Sequence, residues 1–179
     1  MASQKVALIS DTHIPTILAE LPSHLIDQLR GVHRILHAGD LVSLDALQPL
    51  QAIANTLAVH GNADELEVLH RLPYKQMVTI AGHRIGLIHG NRSTDVERKY
   101  LQPDFNYESP AMVAFYEFLL AELPVAEIIV FGHFHVPEIR SYKHRLLINP
   151  GSIAPYRGQR SYGLLELEPG EVKAEIIKF

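Results

Sequence analysis

The chain contains no cysteine. Disulfides and thiolate metal sites are therefore both excluded, and a reducing compartment is the better fit. No long basic stretch is present and the formal net charge is −4, which speaks against a nucleic-acid backbone as the main partner. A phosphate group stays compatible with that charge, because bound cations reverse the local sign. No apolar run approaches the length needed to cross a bilayer. Residues 1–5 have no cationic stretch leading into a long apolar core, so no signal peptide is expected. These absences point to a cytoplasmic protein whose main partner is neither a membrane nor a nucleic acid. A homo-oligomer is compatible with them.

The chain's 179 residues, 47% of them hydrophobic, suit a single domain spanning 1–179 with a sizeable core. Five short apolar runs dominate the pattern, and each ends in residues able to bind a cation. Residues 6–10 run into Asp11 and His13, and 34–38 into Gly39-Asp40. Residues 56–59 run into His60-Gly61-Asn62, 84–88 into His89-Gly90, and 128–131 into Gly132-His133-Phe134-His135.

The first three runs alternate with helical segments. Ser23 opens one segment that Gly31 stops. Ser43 caps another, whose apolar stripe is Leu44, Leu47, Leu50 and Ile53. A β-α-β-α-β order argues for parallel strands with right-handed crossovers. The second half predicts hairpins at Ala81-Gly82-His83, at 142–145 and at Pro169-Gly170. Residues 91–108 read as a long polar loop. Ser109-Pro110 starts a helix that runs to about Leu123. The expected fold is α/β, two sheets packed as a sandwich with helices outside.

Asp and His at strand ends are individually weak signals, since such residues also serve turns and caps. His133-x-His135 after a buried run is stronger, because two alternating imidazoles are hard to justify as packing. Together the five strand ends supply Asp11, His13, Asp40, Asn62, His89, His133 and His135 to the edge where α/β sheets bind ligands. Seven ligands exceed the three or four of a mononuclear site and suit two cations sharing one carboxylate. Mixed N and O donors favour Mn, Fe, Zn or Ni. Paired metals about 3.5–4 Å apart recur in in-line displacement at phosphorus.

The set Asp11-x-His13, Gly39-Asp40, Gly61-Asn62-x-Asp64, His89-Gly90 and Gly132-His133-x-His135 resembles the calcineurin-like metallophosphoesterases. Chain length and Asn149-Pro150-Gly151-Ser152 resemble their small YfcE-type phosphodiesterase branch. The resemblance implies a four-layer α/β/β/α fold and two divalent ions, Mn²⁺ first among them. It places Asp11, His13 and His135 on one ion, Asn62, His89 and His133 on the other, and Asp40 between them. It also implies a small phosphodiester substrate, attacked by water or hydroxide shared by the two ions.

Two positions depart from the family pattern. Ala63 stands where many relatives carry a histidine that protonates the leaving group, and Asn91 replaces a second histidine after His89-Gly90. Asp64, retained, reads as a residue that holds its loop by hydrogen bonds. His60 is a candidate for approaching the phosphate, and His37 for a hydrogen-bonding role behind the ligands. Arg92, Arg98, Tyr100, Phe105 and Tyr107 would cover the site and stack on a substrate ring, or else pack as ordinary aromatics. Tyr156, Arg157 and Arg160 would contact phosphate or stay solvated. The competing function is a non-catalytic protein-interaction scaffold of the retromer-subunit type. The presence of both His13 and His135 favours the enzyme.

Overall fold

In a computed structural model of the chain, residues 3–101 and 105–179 are described. Readings of the first two residues and of Gln102, Pro103 and Asp104 lie outside them. In chain order the elements begin β1 (Gln4–Ile9), α1 (Ser23–Gln28), β2 (Arg34–His37), a 3₁₀ turn (Leu44–Leu47) running into α2 (Gln48–Gln51), and β3 (Asn55–Ala58). They continue α3 (Leu66–Arg71), β4 (Lys75–Ile80), β5 (His83–Ile88), α4 (Thr94–Glu97), α5 (Met112–Glu122) and β6 (Ile128–Val130). Two hairpins follow, β7 (Glu138–Tyr142) with β8 (Arg145–Asn149), and β9 (Ser161–Glu168) with β10 (Glu171–Lys178).

The strands form two five-stranded sheets, ordered β10-β9-β1-β2-β3 and β4-β5-β6-β8-β7. β1, β2 and β3 pair in parallel, as do β5, β6 and β8; the first sheet adds antiparallel strands at one edge, β9 and β10, and the second at both, β4 and β7. Strand alternation sorts the core into three layers. Val6 and Leu8 of β1 face Ile85, Leu87 and Val130 of the other sheet, between the two sheets. Ala7 and Ile9 face outward, beneath Leu25, Leu29 and Leu50. Ile129, Phe131 and Leu147 face out on the other side, beneath Met112, Phe115 and Leu119 of α5. The four-layer α/β/β/α sandwich follows.

Several helices differ from expectation. The 43–53 stripe is not one helix. Ser43 Oγ accepts the Asp45 N–H at 3.3 Å, but Pro49 sits in the first turn of α2, so the stretch divides into a 3₁₀ turn and a short α-helix. α5 begins at Met112, after a turn in which Ser109 Oγ takes the Ala111 N–H. α3, between Asn62 and Gln76, carries no signal that the sequence reading used. The 91–108 stretch is not all loop: α4 forms there, with Asp95 and Glu97 in its first turn, where acidic residues suit the helix dipole. Among the described residues no helix is long and apolar enough to cross a membrane.

Candidate metal centre

The C-terminal ends of β1, β2, β5 and β6 converge, and each releases its chain into a turn that carries ligand-type residues. Asp11, His13, Asp40 and His135 present ligand atoms all within 4.8 Å of one another. His13 Nε2 stands 3.3 Å from His135 Nε2, 3.9 Å from Asp11 Oδ1 and 3.8 Å from Asp40 Oδ2. His135 Nε2 is 3.1 Å from Asp11 Oδ1. On the other side of Asp40, His89 Nε2 lies 3.3 Å from Oδ2. The His133 ring meets His89 edge-on at 5.3 Å. Asp40 thus stands between the group holding His13 and the group holding His89.

The backbone is bent to make this possible. Asp11, His13, Asp40, His133 and His135 all adopt left-handed φ between 48° and 73°, a conformation that costs non-glycine residues roughly 1–3 kcal/mol each and clusters at functional sites. Glycines supply close approach: a Cβ on Gly61 would meet His89 Cδ2 at 2.6 Å, and one on Gly39 would meet His89 Nδ1 at 2.7 Å.

Surrounding hydrogen bonds fix several of these side chains. His89 Nδ1 donates to the Ala38 carbonyl at 2.7 Å, which leaves Nε2 facing the cluster. Asp11 Oδ2 accepts from the Ser10 hydroxyl and the His133 N–H. Asp40 Oδ1 accepts the Ala63 N–H at 2.8 Å. Asp64 has the loop-holding role expected of it, accepting the Val42 N–H at 2.6 Å and the Gly61 N–H at 2.7 Å. His37 is fully buried; its Nδ1 accepts the Gly39 N–H and its Nε2 meets Thr12 Oγ1, so it braces two ligand turns at once. Asn149 Nδ2 donates to the Gly132 carbonyl, and Ser152 Oγ lies 3.0 Å from the Asp11 carbonyl. The Asn-Pro-Gly-Ser turn therefore supports the site.

Burial would raise the carboxyl pKa of Asp40, but the His89 imidazolium, the Ala63 N–H and His13 hold it well below the usual range. Asp11 is lowered too: burial opposes ionisation and His135 and His89 overcome it. Burial likewise disfavours charge on His89, yet Asp40 and then Asp11 push its pKa up to about 9. His135 is raised against burial by Asp11 and Asp40. Burial dominates for His13 and His133, which are lowered, and for His37, which falls to about 4.

The residues fit bound cations. Asp11 Oδ1, His89 Nε2 and His133 Nε2 are buried and have no hydrogen-bond partner, although buried polar atoms in native folds are nearly always paired. Each faces another ligand-type atom instead. Asn62 is exposed, between Gly61, which packs on Asp40 and His89, and Ala63. The His60 ring faces Tyr74 at 6.0 Å, and its buried Nδ1 is unbonded.

Of the two readings of the 91–108 aromatics, packing into the protein is the one seen. Phe105 stacks on Phe134 at 4.9 Å, Tyr100 packs on Phe115 and Phe134, and Tyr107 donates its hydroxyl to the Val136 carbonyl. Arg92 lies over Phe118 at 4.5 Å. A cavity of about 240 Å³ opens beside His135, lined by Tyr156, Arg157, Gln159 and Ser161. A larger one of about 820 Å³ lies among the hairpin turns at the opposite end of the sandwich, away from every ligand. Sequence reading missed Glu97, whose Oε1 is 2.9 Å from His133 Nε2.

Comparison with known proteins agrees with this geometry. The model of the calcineurin-like phosphoesterase superfamily domain matches residues 5–170. The chain belongs to this family. A Methanothermobacter thermautotrophicus protein named as a probable metallophosphoesterase is 33% identical over 97% of this chain and 91% of its own. A Thermotoga maritima protein solved by solution NMR is 30% identical, with a TM-score of 0.71 over 98% of this chain and 99% of that one. Vacuolar protein sorting 29 from Cryptosporidium parvum shares the fold, with a TM-score of 0.72 at 24% identity over 99% and 98% of the two chains.

Proposed function

We propose that this metallophosphoesterase is a phosphodiesterase working with two divalent cations, Mn²⁺ the first choice and Fe, Zn or Ni the alternatives. The observation that carries the reading is Asp40, whose Oδ2 faces His13 on one side and His89 on the other. Asp11, His13 and His135 would hold one ion, Asn62, His89 and His133 the other, with Asp40 shared. When bound, such ions polarise phosphoryl oxygens and bring the pKa of water toward neutrality.

The chain's own residues do the rest. His89 is kept in one tautomer by Ala38, and Asp40 is fixed by the Ala63 amide. Asn62, with His60 behind it, would meet the phosphate at the rim. The ion pairs of Asp11 and Asp40 among the described residues are all with imidazoles. Charge opposing the phosphate would then come from the cations, which suits a singly charged diester. Ala63 offers no proton donor, so good leaving groups are favoured.

The test is metal analysis of the purified protein beside hydrolysis of bis-p-nitrophenyl phosphate with Mn²⁺, Fe²⁺, Zn²⁺ or Ni²⁺. Two ions per chain and metal-dependent hydrolysis support the proposal. No bound metal and no turnover with any of the four would favour the scaffold instead.

A further inference from the structure

Glu97 lies outside the seven-ligand set, yet its carboxylate reaches the site. It ends α4, and Oε1 stands 2.9 Å from His133 Nε2, with both side chains largely buried. The carboxylate is held in place, because the Arg92 N–H donates to the same oxygen at 2.6 Å. The segment is moored beyond it by Tyr100, packed 5.7 Å from Phe115 and 5.8 Å from Phe134.

His133 Nε2 nevertheless has no aligned hydrogen bond. The same close but unaligned relation recurs twice in the site. Asp11 Oδ1, unbonded, is 3.1 Å from His135 Nε2, and His89 Nε2, unbonded, is 3.3 Å from Asp40 Oδ2. Two donors each about 2.1 Å from one cation and at right angles to each other stand about 3 Å apart. A simple ion pair would aim the N–H at the oxygen. The Glu97–His133 pair therefore has the spacing and the misalignment of the two pairs already counted as ligands.

We propose that Glu97 is a further ligand of the cation held by His89 and His133, and that metal loading thereby fastens residues 94–101 over the site. The proposal rests on the two-cation reading above. It makes the segment a metal-dependent cover, closed from inside by its own carboxylate.

The experiment titrates metal-free wild type, Glu97→Gln and Glu97→Asp with Mn²⁺ by calorimetry. Hydrogen exchange across 94–101 is followed with and without the ion, and circular dichroism checks the fold. Wild type should bind two ions, and Mn²⁺ should slow exchange in the segment. Glu97→Gln should keep one affinity unchanged, lose at least about tenfold in the other, and lose the metal-induced protection. Glu97→Asp should fall between the two. Two wild-type affinities with normal protection in Glu97→Gln would overturn the ligand assignment alone. Equal weakening at both sites would also overturn it, as the mark of general damage. Failure of wild type to bind two ions would bring down the two-cation reading and this proposal with it.

Discussion

Asp40 Oδ2 sits 3.3 Å from His89 Nε2, while His89 Nδ1 is spent on the Ala38 carbonyl. In the metal-free protein this pairing keeps His89 protonated up to about pH 9, against an ordinary value of 6.5. A folded-state pKa above the unfolded one gives stability that is complete below 6.5 and lost as pH rises toward 9. His37 has the opposite sign: held neutral down to about pH 4, it gives stability that is complete above 6.5 and lost as pH falls. From these two groups, the metal-free melting temperature should peak near pH 6.5. A cation held by His89 would displace its proton, so saturating Mn²⁺ should flatten the alkaline arm and leave the acid arm. Thermal scans from pH 4 to 9 with and without Mn²⁺ measure both arms; an unchanged alkaline fall under Mn²⁺ would remove His89 from the ligand set.

Gly61→Ala puts a methyl group 2.6 Å from His89 Cδ2 and against Asp40. Neither neighbour can yield without leaving its hydrogen bond. Mn²⁺ affinity should fall by about 10–100-fold while the circular dichroism spectrum stays native. Wild-type calorimetric affinity in this variant would show that the two side chains have more room than the structure gives them.

Asp64→Ala strips partners from the Val42 and Gly61 amides. Val42 is β-branched with φ of 76°, so its turn depends on that bond more than most. A loss of about 1–3 kcal/mol in urea unfolding is expected, with weaker metal binding because Gly61 lines the site. Asp64→Asn should recover part of both.

Ala63→His tests the missing donor. Ala63 is exposed, so the larger side chain has space, and its amide bond to Asp40 is unaffected by the change. General acid catalysis is worth about 10²–10⁴-fold at best. The gain should be larger for alkyl esters than for p-nitrophenyl esters; equal gains would argue that leaving-group protonation does not limit the rate.

The strand ends were legible because buried parallel strands announce themselves as apolar runs, and the residue after each run must lie at the sheet edge. Asp11, Asp40, His89 and His135 could be placed on that logic alone. Glu97 could not. Its helix is four residues long, too short for an apolar period, in a polar stretch that resembles a loop. Ser93 followed by Asp95 and Glu97 was the one available cue. α3 escaped for the same reason, its buried contact resting on Val68 alone. The anchoring of His60 was not legible either: the Pro73 carbonyl takes its backbone N–H, a partner that no local pattern reveals.

The left-handed backbone at Asp11, His13, Asp40, His133 and His135 has an evolutionary consequence. Glycine or asparagine would sit more comfortably at each of these positions, so the sandwich would be sturdier without its chemistry. A lineage released from the need for these side chains has a downhill path: residue by residue, it gains robustness and keeps its shape.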